Sequence, residues 1–365
     1  MTRLAFLYLG RRGALSRFTH AAMIAAGDVA DLEASVIVSR QNEQAALFAD
    51  LGSRAILVDT FQSHAGALFG AWRILRLRRR LTAELRRRRI TTVIELMPHV
   101  WSFLLADAIR QGGARYLTVV HDAEPHPGDA TARLQPLLRR AAVRADHVVT
   151  LSGAVTDRLL AQGRLSPDRL TTLFLPDLDY GGPRIGPTGN GPLRVLFLGR
   201  IMPYKGLSLF VDALERLQAS GIAVRAGVFG EGELGAEAAR LRRLGAEVVN
   251  RWLIEDEIAG VLARYDVMVV AHVEASQSGV VATAFGAGLP VVATPVGGLP
   301  EQVHDGVSGL VLPTVSATAL SEAITRLASD RNLLATLRDG VAAQRENRSM
   351  RRFVEACREL ARQRP

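Results

Sequence analysis

Short apolar runs alternate with stretches of helical period along the whole chain. In the first half, residues 4–9, 34–38, 55–58, 92–96, 116–120 and 147–151 are short and mostly apolar. Runs of that length, rich in Val, Ile and Leu, are the pattern of strands buried on both faces of a parallel sheet. Between them, residues 15–26, 41–51, 68–88, 101–111, 131–144 and 155–162 carry apolar side chains at three- and four-residue spacing, which predicts helices. The clearest stripe is Ile74, Leu77, Leu81 and Leu85, expected to face the sheet. Strands alternating with helices predict a parallel sheet with helices on both faces.

The pattern breaks at residues 177–192, where five Gly and three Pro fall within sixteen residues, the composition of an interdomain linker. A second series follows, with strands expected at 194–198, 223–229, 246–250, 267–271, 291–293 and 309–312. Its helices are expected at 207–219, 236–244, 255–264, 279–287 and 317–328. Residues 349–362 form a last amphipathic helix with Met350, Phe353, Cys357 and Leu360 on one side. The predicted fold is α/β, with two Rossmann-like, doubly wound parallel-sheet lobes. Their expected bounds are 1–180 and 193–345, with a linker at 181–192 and a C-terminal helix at 346–365 packing back toward the first lobe. Ligands of such sheets bind beyond the carboxyl ends of the strands, which points to a cleft between the lobes.

Composition narrows the function. A chain of 365 residues, 48% of them hydrophobic, can bury two cores and is not disordered. Its one cysteine, Cys357, excludes an intrachain disulfide and fits a reducing compartment. The apolar run at the N-terminus is too short for a signal peptide and reads as a first strand. Residues 276–300 are uncharged and long enough to span a membrane, yet Pro290, Pro295 and Pro300, with Gly286, Gly288, Gly297 and Gly298, interrupt them. A cytoplasmic protein is expected. A net charge of +9 points toward anions. All but one of the 45 Lys and Arg residues are Arg, the exception being Lys205. Nine Arg lie between Arg73 and Arg89, a face suited either to solvent or to peripheral contact with an anionic membrane. Nucleic acid is not an expected partner, because no aromatic residues interleave with that basic run.

Three segments carry candidate chemistry. Gly230-Glu-Gly-Glu-Leu-Gly235 is a literal G-x-G-x-x-G between a strand and a helix, the dinucleotide fingerprint. It follows the second strand of its lobe rather than the first, and Asn250 stands where an acidic residue would hold a ribose. Arg251 beside it suits a 2′-phosphate, so NADP stays open. Gly199, Arg200 and Lys205 lie just past the first strand of the second lobe, where two cations can reach a diphosphate. Residues 271–279 lead into a helix at Gly279, and the backbone N–H groups of Ser278, Gly279 and Val280 form a positive helix end suited to phosphate. Glu274, in that loop, is placed to bond sugar hydroxyls. His121, Asp122, Glu124 and His126 lie close together, but no His/Cys cluster has metal-ligand spacing.

Together these segments resemble glycosyltransferase family 4, the glycosyl transferases group 1. The resemblance rests on Gly199-Arg200…Lys205-Gly206, on Gly230-Glu-Gly-Glu233, and on the phosphate loop running into Ala287-Gly-Leu-Pro-Val-Val-Ala-Thr-Pro-Val-Gly-Gly-Leu-Pro-Glu301. The first lobe adds Gly10-Arg-Arg-Gly13 and Thr118-Val-Val-His-Asp122. The resemblance implies the two-lobed GT-B fold, an acceptor-binding first lobe and a nucleotide-sugar-binding second lobe. It implies that Arg200 and Lys205 stabilise the leaving diphosphate, that His121 lies near the reacting sugar, and that Glu274 stands in for the first acidic residue of the family's E-x7-E pair. That pair aligns on Ala275 and Thr283. The donor site would further include Gly13, Gly199, Gly230, Glu231, Asn250, Arg251, Trp252, Ser276, Gln277, Ser278, Gly279, Val280 and Thr283. Asp177-Leu-Asp179 matches the D-x-D of metal-dependent enzymes of the other glycosyltransferase fold, but lies at the linker entrance and is expected to hold no metal.

The expected function is therefore a retaining, metal-independent glycosyltransferase without a cofactor. It would move a sugar from a nucleoside-diphosphate sugar to a glycan or lipid-linked acceptor in cell-surface polysaccharide assembly. Two readings from other classes stay open: an NADP-dependent oxidoreductase using Gly230–Gly235, and a catalytically silent, membrane-associated assembly subunit. A nucleotide-sugar epimerase shares the two-lobed fold, but the motifs fit transfer better.

Overall fold

The computed structural model of the protein describes residues 1–11, 13–61, 71–125, 133–181 and 191–363. The chain divides into two compact units. Among the described residues, one takes in 1–125, 133–174 and the chain from Met350 onward; the other is Leu175–Ser349.

In the first unit the elements are β1 (Thr2–Tyr8), α1 (Leu15–Ala25), β2 (Leu32–Ser39), β3 (Ala55–Val58), α2 (Ala71–Arg88), β4 (Thr92–Glu95), α3 (Ser102–Gln111), β5 (Arg115–Val120), α4 (Gln135–Arg144), β6 (His147–Thr150), α5 (Gly153–Ala161) and β7 (Leu170–Thr172). The strands form one parallel sheet in the order β3-β2-β1-β4-β5-β6-β7. The strand order reverses at β1, so the βαβ crossovers place helices on both faces. Burial follows the sequence pattern: residues 4–8 of β1 are at most 1% exposed. On α2, Leu77, Leu81 and Leu85 sink into the core with Ile74 partly buried against it, as the stripe predicted.

The second unit contains β8 (Leu193–Leu198), α6 (Leu207–Ala219), β9 (Val224–Phe229), α7 (Glu237–Arg243), β10 (Glu247–Val249), α8 (Glu255–Leu262), β11 (Val267–Val270), α9 (Gly279–Gly286), β12 (Val291–Ala293), α10 (Leu299–Gln302), β13 (Gly309–Val311), α11 (Ala317–Ser329) and α12 (Arg331–Ala343). Its parallel sheet runs β10-β9-β8-β11-β12-β13, reversing at β8. Asp266 ties this unit together at the amino end of β11. Its buried carboxylate accepts from the Arg194 backbone N–H at 2.9 Å, from the Arg194 guanidinium at 2.7 and 3.1 Å, and from Arg338 of α12 at 3.1 Å. A buried carboxylate is tolerated because both oxygens are met by charged donors.

The last helix, α13 (Met350–Arg362), belongs to the first unit. Phe353, Val354, Cys357 and Leu360 are buried. The Phe353 ring meets Phe18 edge-on at 5.3 Å and Phe174 at 6.4 Å. Each such side chain contributes roughly 1.5–3 kcal/mol of burial, which is what fixes the helix there. Burial also pushes the Cys357 thiol far above its ordinary range, so it is inert.

Several elements differ from the sequence-based expectation. Residues 41–51 are not a helix. A run of 3-10 turns spans Ala45–Arg54, broken at Gly52, because the buried Asn42 side chain takes the chain into a turn. Asn42 accepts from the Gln44 N–H at 2.8 Å and donates to the Gly10 carbonyl at 2.7 Å, local bonds that compete with a helix. Strand β7 and helices α10 and α12 are additional. The expected bounds also shift. The second unit begins at residue 175, not after 180, because the Leu178 N–H bonds the Ala282 carbonyl at 3.0 Å and Asp177 pairs with Arg348 at 3.0 Å. Residues 182–190 of the expected linker, 68–70 and 131–132 of two expected helices, and His126 lie outside the described residues.

Candidate functional site

The carboxyl end of the second sheet gathers two turns. One leaves β8: Gly199, Arg200, Ile201, then a single 3-10 turn over Pro203–Lys205 that opens α6. The other leaves β11 as residues 271–278 and opens α9. They are locked together by backbone. At Gly206, φ is +72° and a Cβ would stand 1.8 Å from the Ala271 carbonyl oxygen, so only glycine lets the first turn close on the second. The Val273 N–H donates to the Tyr204 carbonyl at 2.8 Å. A Cβ on Gly199 would reach Val280 at 3.1 Å.

Lys205 sits in that junction. Its Nζ is 2.8 Å from His272 Nε2 and 4.9 Å from the centre of the Tyr204 ring. An ammonium only donates, so His272 accepts through Nε2 and carries its ring proton on Nδ1. A protonated imidazole at that distance would repel Lys205 by about 6 kcal/mol at an effective dielectric of about 20. The one Lys of the chain is thus a compact cation between a ring face and a ring nitrogen, a place a planar guanidinium does not fill in the same way. Arg200 is exposed, with no side-chain ion pair among the described residues.

The helix start is narrower than the sequence suggested. The Ser278 N–H is already bonded to Gln302 Oε1 at 2.7 Å, and Gln302 Nε2 donates back to the Ser278 carbonyl at 3.2 Å. Ser278 therefore offers no backbone donor to a ligand, and the candidate phosphate donors reduce to the N–H groups of Gly279 and Val280. Ser276 is buried, and its carbonyl accepts from the Gly298 N–H at 3.0 Å. Gln277 buries its Oε1 without a hydrogen-bond donor among the described residues. Glu274 is half-buried between these pinned neighbours. Ala275 is buried, and Thr283 is 7% exposed in the body of α9 rather than at its start.

The Gly-rich segment has a structural use. At Gly230, φ is +149° and a Cβ would lie 1.9 Å from the Gly199 carbonyl oxygen. The Ile201 N–H bonds the Glu231 carbonyl at 2.8 Å, and the Gly232 N–H bonds Asn250 Oδ1 at 3.2 Å. Its first two glycines thus bring the segment against the cation-bearing turn, which accounts for the motif without a dinucleotide. Glu231 is exposed. Arg251, expected beside a nucleotide, is held by Glu257 at 2.6 and 2.8 Å. Their bidentate contact pulls the Glu257 carboxyl down to about 2. Trp252, next to it, is 48% exposed.

In the first unit, Gly13 (φ +105°) precedes α1. His121, at the carboxyl end of β5, is half-buried and places Nε2 2.7 Å from the Leu96 carbonyl. A carbonyl only accepts, so Nε2 carries the proton and Nδ1 is the acceptor of the neutral ring. One strand over, the fully buried Glu95 ends β4. It accepts from Tyr116 Oη at 2.5 Å, from Thr118 Oγ1 at 3.1 Å and from Ser102 Oγ. Burial overrides these donors and raises its carboxyl to about 7.

Sequence reasoning missed Glu95, His272 and Gln302. Glu95 and His272 lie at strand ends, the signal that could have found them. Gln302 meets Ser278 only through the fold. Asp177 and Asp179 each face an arginine, Arg348 at 3.0 Å and Arg345 at 3.6 Å. No group of three or more His, Cys, Asp or Glu side chains suited to a metal occurs among the described residues, and none of their helices is long and apolar enough to cross a membrane.

A family model for glycosyl transferases group 1 matches residues 192–330, and one for glycosyltransferase family 4 matches residues 30–174. Among curated proteins, the chain is similar to the D-inositol 3-phosphate glycosyltransferase of Kribbella flavida. The two are 30% identical over 209 residues, covering 53% of this chain and 48% of that protein. It is also similar to the putative colanic acid biosynthesis glycosyltransferase WcaL of Salmonella typhimurium, 24% identical over 222 residues, covering 56% and 53%. The chain spans about half the length of these curated relatives. Among solved structures, Anabaena Alr3699/HepE in complex with UDP and glucose superposes with a TM-score of 0.74 at 17% identity, covering 100% of both chains. The apo form of the lipopolysaccharide outer core galactosyltransferase WaaB does so at 0.68 and 14%, covering 99% of both. At these identities the likeness is one of fold. With one model matched on each unit and two parallel sheets of the same architecture, the chain belongs to the family 4 (group 1) glycosyltransferases and has their GT-B fold.

Proposed function

We propose that the protein is a retaining glycosyltransferase that moves a sugar from a nucleoside-diphosphate sugar to a glycan or lipid-linked acceptor in cell-surface polysaccharide assembly. The observation that carries the reading is the junction of the turn at 199–206 with the segment at 271–280. It holds a half-buried ammonium, an exposed guanidinium and a helix start on one end of one sheet. In the transfer step the bond from the anomeric carbon to the diphosphate oxygen breaks and the acceptor oxygen bonds that carbon on the same face. The acceptor proton passes to the departing diphosphate. Charge builds on the leaving group, and preorganised cations lower that barrier in the role a metal would otherwise fill. Arg200, Lys205 and the Gly279 and Val280 N–H groups take that role here.

Glu274 and Gln277 are assigned to the sugar, and the exposed Trp252 to the base. The acceptor is assigned to the first unit, whose strand ends carry Gly13 and His121, with His121 Nδ1 as a hydrogen-bond acceptor for a hydroxyl. The relatives fit this reading, since HepE is described with UDP and glucose and WcaL by colanic acid biosynthesis. Peripheral contact with an anionic membrane is assigned to α2, on which Arg73, Arg76, Arg79, Arg80, Arg86 and Arg87 are exposed together with Leu75. Each arginine near such a surface contributes about 1 kcal/mol.

The test is thermal-shift binding of UDP, GDP, dTDP, ADP and NADP, with and without EDTA, to the wild type and Lys205→Ala. A diphosphate should stabilise the wild type despite EDTA. Loss of a charged hydrogen bond of about 1.5–3 kcal/mol should weaken it roughly ten- to hundredfold in the variant. Stabilisation by NADP alone, or by none of the five, would refute the reading.

A further inference from the structure

We infer that His272 is a positioning residue for the leaving diphosphate: its neutral imidazole holds the Lys205 ammonium against the start of α9. The inference rests on the proposed diphosphate site and adds a residue to it. His272 stands two residues beyond β11 and is 3% exposed. Its Nε2 faces both arms of the junction, Lys205 Nζ at 2.8 Å and Ser278 Oγ at 3.4 Å. Ser278 immediately precedes Gly279, the first residue of α9. One ring nitrogen therefore spans the cation-bearing turn and the helix start that would share the diphosphate.

Two further contacts hold the residue, one on its backbone and one on its ring. The His272 carbonyl accepts from Thr294 Oγ1 at 2.6 Å, so the backbone is held from β12's side of the sheet. The Tyr204 ring packs on the imidazole edge-on, with centroids 6.2 Å apart and planes at 87°. Tyr204 also presents its face to Lys205. The long, flexible lysine side chain is thereby given one direction before a ligand arrives, and preorganisation of a charged donor is what makes it effective in a site. An apolar residue of similar size would fill the volume but leave Nζ without the acceptor. A glutamine in its place would keep an acceptor oxygen at the end of a side chain of similar reach, so His272→Gln separates positioning from packing.

The experiment is a double-mutant cycle read by calorimetric titration with whichever of UDP, GDP, dTDP and ADP binds the wild type best, using the full chain. Lys205→Ala should lose roughly ten- to hundredfold in affinity. His272→Leu should lose roughly tenfold alone and nothing further in the Lys205→Ala background, while His272→Gln should stay within about threefold of the wild type. Equal losses from His272→Leu in both backgrounds, or a Gln variant as weak as Leu, would overturn the inference. An unchanged affinity in Lys205→Ala would instead refute the underlying diphosphate site. If His272→Leu loses its thermal transition, His272→Ala, too short to reach Nζ, completes the cycle with the same two outcomes.

Discussion

Glu95 offers a sharp test of the first unit. Its carboxyl is fully buried at the end of β4 and surrounded by three hydroxyl donors, from Ser102, Tyr116 and Thr118. Those donors favour the ionised form, yet burial outweighs them and the group titrates near 7 instead of 4.5. Because the folded value is raised, the sign is fixed. Below about pH 4.5 both states carry the proton and Glu95 costs nothing. As pH rises from there to 7 the unfolded chain releases its proton while the folded one keeps it, so stability falls. Raising the carboxyl from 4.5 to about 7 amounts to about 3 kcal/mol of stability lost by pH 7–8.

Glu95→Gln removes the titration and keeps the shape, since the amide oxygen can accept from Tyr116 and Thr118 while the amide nitrogen meets Ser102. Urea unfolding followed by tryptophan fluorescence at pH 4.5 to 8, with Trp72→Phe and Trp252→Phe in both proteins, reports this unit, because the remaining Trp101 is buried there against Phe61 at 5.0 Å. The variant should match the wild type near pH 4.5 and exceed it by up to about 3 kcal/mol above pH 7. His99 works in the opposite sense. Burial, aided by Arg11, lowers it from 6.5 to about 4, so the unfolded chain takes up the proton first and stability falls as pH drops from 6.5 to about 4, an effect that is alike in both proteins and cancels in the difference. A difference between variant and wild type that stays flat across the range would refute the buried, late-titrating carboxyl.

Three further outcomes are expected. Gly230→Ala should destabilise the second unit and weaken diphosphate binding together, measured by thermal unfolding and titration, because its Cβ would collide with the Gly199 carbonyl; diphosphate binding left intact would refute that coupling. Asp266→Ala should cost about 3–5 kcal/mol in denaturant unfolding, the cost of leaving two guanidinium groups without their buried partner. Trp252→Ala should weaken a nucleoside diphosphate by about 1–3 kcal/mol, the worth of a base–aromatic stack, while leaving inorganic pyrophosphate binding unchanged in the same titration.

What the sequence revealed and what it hid follow from one physical division. Most strands announce themselves as short apolar runs, and twelve of the thirteen strands among the described residues coincide with expected ones. The exception, Leu170-Thr-Thr172, is a three-residue edge strand with a single apolar residue to mark it. The expected helix at 41–51 failed where a polar side chain, Asn42, overrode the helical pattern by bonding backbone. At the candidate site, residues placed by the turn they lie on, such as Arg200 and Lys205, were legible in position. Those whose role depends on a partner from another element were not. Ser278 reads as a phosphate donor until Gln302, 24 residues away, occupies its N–H. Arg251 reads as a nucleotide contact until Glu257 claims it. His272 is the same case with the opposite sign: nothing beside it in the chain gives it a function, and only the closure of Gly206 on Ala271 brings Lys205 to its ring. The glycine that makes this contact was read as part of a motif, but its mechanical use is to let one turn rest on the other and so hand the single lysine its acceptor.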